Sequence, residues 1–69
     1  MAVMQIKLFR EQAGLTQMEL ATEMGVCRSA VANWEREISL PLARQLPELA
    51  RILNCTIDDL FVSAEAEAV

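Results

Sequence analysis

An all-α fold of five short helices is what this chain predicts, and three observations predict it. No run of β-branched or aromatic residues alternates with polar ones, and no Asn-Gly or Asp-Gly pair offers a hairpin turn. Apolar residues recur instead at the spacing of helices, and Gly14 and Gly25 each follow such a stretch, where a helix needs a left-handed residue to stop. Finally, Thr16-Gln17-Met18-Glu19 and Thr56-Ile57-Asp58-Asp59 each set a capping hydroxyl three residues ahead of an acid, the pattern that opens a helix.

The first helix is expected from Met4 to Ala13, with Ile6, Phe9, Arg10 and Ala13 at helical spacing. Thr16 caps the second, which carries Leu20, Ala21 and Met24 on one face and ends at Gly25. Met18 and Met24 read as core or near-core fillers. A third helix runs from Cys27, in the cap position, to about Arg36. At about 100° per residue, Val31 and Trp34 face inward, while Ser29, Ala32, Asn33 and Arg36 face out. Trp34 is therefore a packing residue and not a stacking platform. Residues 37–45, with Ser39 and Pro41, read as a loop. Pro47 belongs in the first turn of the fourth helix, where its missing N–H costs nothing, and Leu46, Leu49, Ala50 and Leu53 point inward. Thr56 then caps a fifth helix whose Asp58 and Asp59 suit its N-terminal dipole, and Leu60 and Phe61 close the core.

A chain of 69 residues holds one domain with a small core, for which pairing with a second copy is a natural expectation. No apolar run approaches the ~18 residues of a membrane span, and the N-terminus lacks the pattern of a secretion signal, so a cytoplasmic protein is expected. Cys27 and Cys55 are far apart and the chain has no histidine, which leaves a metal site or disulfide framework without support. Both cysteines read as inert small hydrophobes. Without histidine, a phosphate loop or a nucleophile elbow, no catalytic constellation is present and neither an enzyme nor a cofactor is expected. The net charge of −4 would disfavour a nucleic-acid partner, but its position matters more than its sum. Up to residue 57 the bases Lys7, Arg10, Arg28, Arg36, Arg44 and Arg51 are cancelled by six acids, and Asp58, Asp59, Glu65 and Glu67 supply the excess.

Two helices joined by a tight glycine turn, the second with a small, polar, basic outer face, form the arrangement by which a helix enters a major groove. The stretch from Leu15 through Gly25 and Val26 and on through Arg28-Ser29-Ala30-Val31-Ala32-Asn33-Trp34-Glu35-Arg36 closely resembles the Cro/repressor (Xre-type) helix-turn-helix family. Leu46-Pro47-Glu48-Leu49-Ala50 and Leu53 through Phe61 are similar to that family's fourth and fifth helices, so the resemblance spans residues 4–61. It implies a five-helix lambda-repressor-like domain over residues 1–62, followed by an acidic tail at 63–69. It also implies a transcriptional regulator, repressor-like, that binds a double-stranded DNA operator as a homodimer; with one domain and no long apolar run, neither a small-molecule ligand nor a membrane is expected.

Carried onto this sequence, the resemblance places Arg28, Ser29 and Asn33 at base edges and Thr16 and Gln17 at a phosphate. Arg28 can donate twice to guanine or grip a phosphate; Asn33 can pair with adenine or simply stand exposed in mid-helix; Ser29 lets the helix approach or merely fills surface. Arg36 and Arg44 flank the loop and suit phosphates. Arg10 is paired by the resemblance with Glu35 in a structural ion pair. Two departures stand out: Cys27 replaces the family's Ser or Thr cap, and Glu37 stands where the family has glycine. Glu37 and the acidic balance support a second reading, an antitoxin-like or adaptor module that keeps the fold with weak DNA affinity. Dimer contacts are expected around Cys55–Phe61, with Phe61 and Val62 leaving apolar surface there.

Overall fold

The computed structural model describes the backbone of residues 3–62 and the side chains of residues 4–61. Four α-helices, α1 (Ile6–Gln12), α2 (Gln17–Met24), α3 (Arg28–Glu35) and α4 (Leu46–Ile52), lie between two short extended segments, β1 (Val3–Met4) and β2 (Phe61–Val62). The tail expected at 63–69 lies outside the described residues.

All four helices stop in the same way. The N–H groups of Gly14, Gly25, Glu37 and Asn54 donate to the carbonyls of Glu11, Thr22, Trp34 and Arg51, three residues back. Those of the next residues, Leu15, Val26, Ile38 and Cys55, donate to Arg10, Ala21, Asn33 and Ala50. This double closure needs a left-handed backbone, and the four residues take φ of 75°, 71°, 61° and 57°. Glycine adopts it freely and asparagine tolerably; Glu37 is the odd member.

The closures fold the helices around one core of Ile6, Leu20, Ala21, Val31, Trp34, Leu49, Ala50, Leu53 and Leu60. Phe9, Leu15, Met24, Val26, Cys55 and Phe61 pack against it, half-buried. Val31 and Trp34 are buried, as the inward face of the third helix requires, and Pro47 sits in the first turn of α4.

The expected fifth helix is corrected to one 3-10 turn at Asp58–Leu60. Thr56 and Asp59 do exchange hydrogen bonds, Asp59 N–H to Thr56 Oγ1 at 3.0 Å and Thr56 N–H to Asp59 Oδ2 at 3.1 Å. The chain leaves the helical region at once, because Phe61 extends (φ −108°, ψ 137°) and β2 pairs antiparallel with β1, Val3 opposite Val62 and Met4 opposite Phe61. The same pairing corrects the start of the first helix. Met4 belongs to β1, and Gln5 donates its N–H to the Leu60 carbonyl at 2.6 Å before α1 begins at Ile6.

Two further expectations change. Residues 37–45 are not all loop: Ala43–Gln45 form a 3-10 turn that runs directly into α4, held where Gln45 Oε1 accepts the Leu42 N–H at 2.7 Å. Met18 is not a core filler. It lies two residues before Leu20, which puts it on the opposite side of α2, and it stands 59% exposed.

Candidate nucleic-acid interface

The site is built on α2 and α3. Thr16 opens α2 with a reciprocal cap, Glu19 N–H donating to Thr16 Oγ1 at 3.0 Å and Thr16 N–H to Glu19 Oε1 at 2.8 Å. Leu20 and Ala21 bury the inner face of α2, and the closure at Gly25 turns the chain so that Val26 packs against the core and α3 crosses α2. Burial of Val31 and Trp34 then fixes the roll of α3. Its other side presents Arg28 and Ser29 exposed and Ala32 and Asn33 half-buried, with Arg36 exposed just past its end.

Behind this face runs a chain of polar contacts across three helices. Arg10, on α1, donates from Nε to Glu35 Oε2 at 2.5 Å, from Nη2 to Glu35 Oε1 at 3.3 Å, and from Nη1 to the Leu15 carbonyl at 2.7 Å. Both side chains of this ion pair are deeply buried, 10% and 4% exposed. The hydrogen bond to Glu35 raises the Arg10 pKa further above its ordinary value, so the guanidinium stays charged at every working pH. Glu35 Oε1 also accepts from Gln17 Nε2 at 3.0 Å, and Gln17 Oε1 in turn accepts from Arg28 Nη1 at 3.1 Å. The interior charge is thereby fully partnered, and the contact chain emerges at the surface on Arg28.

The structure thus brings Gln17 and Arg28 together with the Arg10–Glu35 pair, a link that the separate roles assigned from sequence do not contain. Only the crossing of α2 over α3 makes residues 17 and 28 neighbours, so spacing along the chain carries no signal for it. Arg36 and Arg44 flank the loop after α3, both exposed, with Arg44 in the 3-10 turn. The Asn33 carbonyl accepts the Ile38 N–H at 2.9 Å, while its side-chain amide makes no hydrogen bond among the described residues.

Cys27 corrects the expectation of an inert hydrophobe. It is exposed in the cap position of α3, makes no capping hydrogen bond through its side chain, and lies with Sγ 3.2 Å from Ser29 Oγ. That contact with Ser29 is the main cause lowering the thiol pKa, whereas burial raises that of half-buried Cys55. Among the described residues no cluster of acids and cysteines could hold a metal ion, and no helix is long and apolar enough to cross a membrane.

Residues 6–60 match the helix-turn-helix family. Two uncharacterized HTH-type transcriptional regulators of Archaeoglobus fulgidus are 37% and 36% identical over 62 residues, each alignment covering 90% of this chain and 89% or 87% of the relative. Among solved structures, the fold is similar to that of a Bacteroides fragilis protein, with a TM-score of 0.83 and 26% identity over 90% of this chain and all of that one. It is also similar to the P22 c2 repressor in complex with a synthetic operator, with a TM-score of 0.76 and 30% identity over 81% of this chain and 85% of that one. With its turn, its buried polar link and its basic outer face in place, the chain belongs to the Xre/Cro-type helix-turn-helix family and is a DNA-binding transcriptional regulator.

Proposed function

We propose that the protein binds a pseudo-palindromic operator as a homodimer in the cytoplasm, each α3 seated in a major groove and acting in the manner of a repressor. Arg28 carries the reading. It begins α3, is exposed, and has its guanidinium held at 3.1 Å by Gln17, so part of the ordering cost of a bidentate contact with guanine is met before DNA arrives. Ser29 and Asn33 occupy the next positions on the same face and complete the base contacts. Thr16, Gln17, Arg36 and Arg44 surround that face and suit phosphates. The similar P22 c2 repressor was crystallised on an operator, which supports the same class of partner here.

Pairing of two chains is supported by the small core and by the apolar end of the fold, where Ile57 is 37% exposed and Phe61 half-buried beside the β1–β2 pair. A two-fold dimer would set two recognition helices about 34–36 Å apart, one helical turn of DNA. Selection of bound duplexes from a random pool tests the whole reading. It should return half-sites one turn apart, bound by two chains, with affinity falling steeply as salt rises. On the selected duplex Arg28→Ala should cost about 1–3 kcal/mol and relax preference at one base pair, and an equal loss on every duplex would make Arg28 a phosphate contact. Ile57→Asp should leave the monomer folded and weaken operator binding through lost pairing, seen as one chain per duplex in sedimentation.

A further inference from the structure

The residue two past the end of the recognition helix is placed at a cost on three counts. Glu37 holds φ 61°, a left-handed backbone that side chains enter with strain, in a closure whose equivalents at α1, α2 and α4 use Gly14, Gly25 and Asn54. Its carboxylate stands just past the C-terminus of α3, the end where the helix dipole disfavours an anion. It is exposed and forms no ion pair or hydrogen bond among the described residues, so no contact within the fold offsets either cost. The third count comes from DNA. With Arg28 at the base edges, an eight-residue α3 about 12 Å long outreaches the ~8.5 Å depth of the major groove, so the chain leaving its end stands at the phosphate rim. Arg36, immediately before, and Arg44, in the next turn, offer positive charge there, and Glu37 sets a negative charge between them in sequence.

We infer that Glu37 is an affinity-setting residue, a built-in electrostatic brake that holds one chain's grip on DNA low at every sequence without reading any base. This rests on the seating of α3 proposed above and adds a regulatory consequence to it. A weakened single grip makes occupancy depend on two chains engaging neighbouring half-sites together, so the operator responds steeply to protein concentration.

Charge and backbone separate in two variants. Glu37→Gln keeps the strained backbone and removes the charge; Glu37→Gly removes both. Binding is measured on the selected operator and on a scrambled duplex of equal length, from about 50 mM salt upward. Glu37→Gln should bind both duplexes tighter by a similar factor, about three- to tenfold at the lowest salt, with the gain shrinking as the Debye length shortens. Glu37→Gly should show the same gain in affinity and melt about 4–8 °C higher, while Glu37→Gln, which relieves the helix-dipole cost but keeps the strained backbone, should rise by less than Glu37→Gly. Unchanged affinity in Glu37→Gln overturns the assignment, and so does a gain that salt does not alter. A loss confined to the selected duplex also overturns it, because Glu37 would then accept from a base edge such as cytosine N4. Arg28→Ala, run alongside, keeps the two readings apart: a loss at Arg28 without a gain at Glu37 removes only the brake, and no effect at either position removes the seating of α3.

Discussion

The two turns that flank α3 close with the same pair of backbone hydrogen bonds and are made from opposite materials. In the leading turn Gly25 takes the left-handed position without a side chain, and Val26 packs half-buried against the core. In the trailing turn Glu37 takes it with a full side chain, and Ile38 stands 62% exposed. Leu40 and Leu42 continue that exposed apolar row, at 62% and 53%, with only Pro41 between them buried. Position and roll of α3 are thus fixed by the packing of Val26, Val31 and Trp34 and by the buried polar link at Glu35, while the turn after it, at Glu37 and Ile38, is held by backbone closure alone. The helix is anchored along its length, and the two turns differ in what their second residue packs against, the core at Val26 and solvent at Ile38.

The comparison is tested hardest at the last residue of α3. Glu35 and Glu37 are two residues apart and chemically the same, yet one is buried under Arg10 and Gln17 and the other is in solvent. Glu35→Ala strands the buried Arg10 guanidinium and should cost about 3–5 kcal/mol, read as a large fall in melting temperature. The same change also releases Gln17 and through it Arg28, so operator binding at a temperature where the variant is still folded should weaken as well. Equal stability of the Glu35→Ala and Glu37→Ala variants would break the comparison outright.

How much of this was legible beforehand follows the same division. The front of the site is local in sequence: a threonine with a glutamate three residues on, an apolar stripe, a glycine and a capped helix each declare themselves within a dozen residues. The pairing of Arg10 with Glu35 spans 25 positions and came only through family resemblance, and the bridge from Glu35 through Gln17 to Arg28 was not foreseen. Met18 was misplaced because methionine reads as core wherever it falls, although two positions before Leu20 is the far side of a helix. The fifth helix failed for a different reason. Thr56 and Asp59 do form the cap that their spacing promises, but a cap starts a helix without sustaining it, and two residues at the far end of the chain offered Phe61 and Val62 an extended partner. Glu37 differs visibly from the family's glycine, yet no residue in the sequence decides that the turn keeps its left-handed form, which the backbone does at φ 61°.

Smaller changes sharpen the contrast between the turns. A Cβ added at Gly25 meets no atom within 4 Å, so Gly25→Ala carries only the backbone penalty, about 1–2 kcal/mol by denaturant unfolding. The residues that follow should diverge. Val26→Ala removes apolar contact from the half-buried side and should cost about 1 kcal/mol, whereas Ile38→Ala on the exposed side should stay within about 0.5 kcal/mol of the parent. Matching losses at positions 26 and 38 would mean that the trailing turn is packed as firmly as the leading one.

A small gain in place of a loss lies at Cys27, the one weak point of the leading turn. Its backbone (φ −82°, ψ 157°) has the extended geometry of a helix cap, but its side chain supplies no capping hydrogen bond to the first N–H groups of α3. Serine has the same shape with a stronger acceptor, and Cys27→Ser should stabilise the fold by about 0.5–1 kcal/mol. The thiol itself reports the local geometry. Because the contact with Ser29 lowers its pKa while burial raises that of Cys55, the thiolate of Cys27 is populated at lower pH. Alkylation of the native protein followed by mass spectrometry should therefore label Cys27 first, and the rise of its rate with pH should precede that of Cys55. Replacing Ser29 by alanine should move the Cys27 profile to higher pH and leave Cys55 where it was; coincident profiles for the two cysteines in the parent would remove both the exposed cap and the Ser29 contact from the description of this turn.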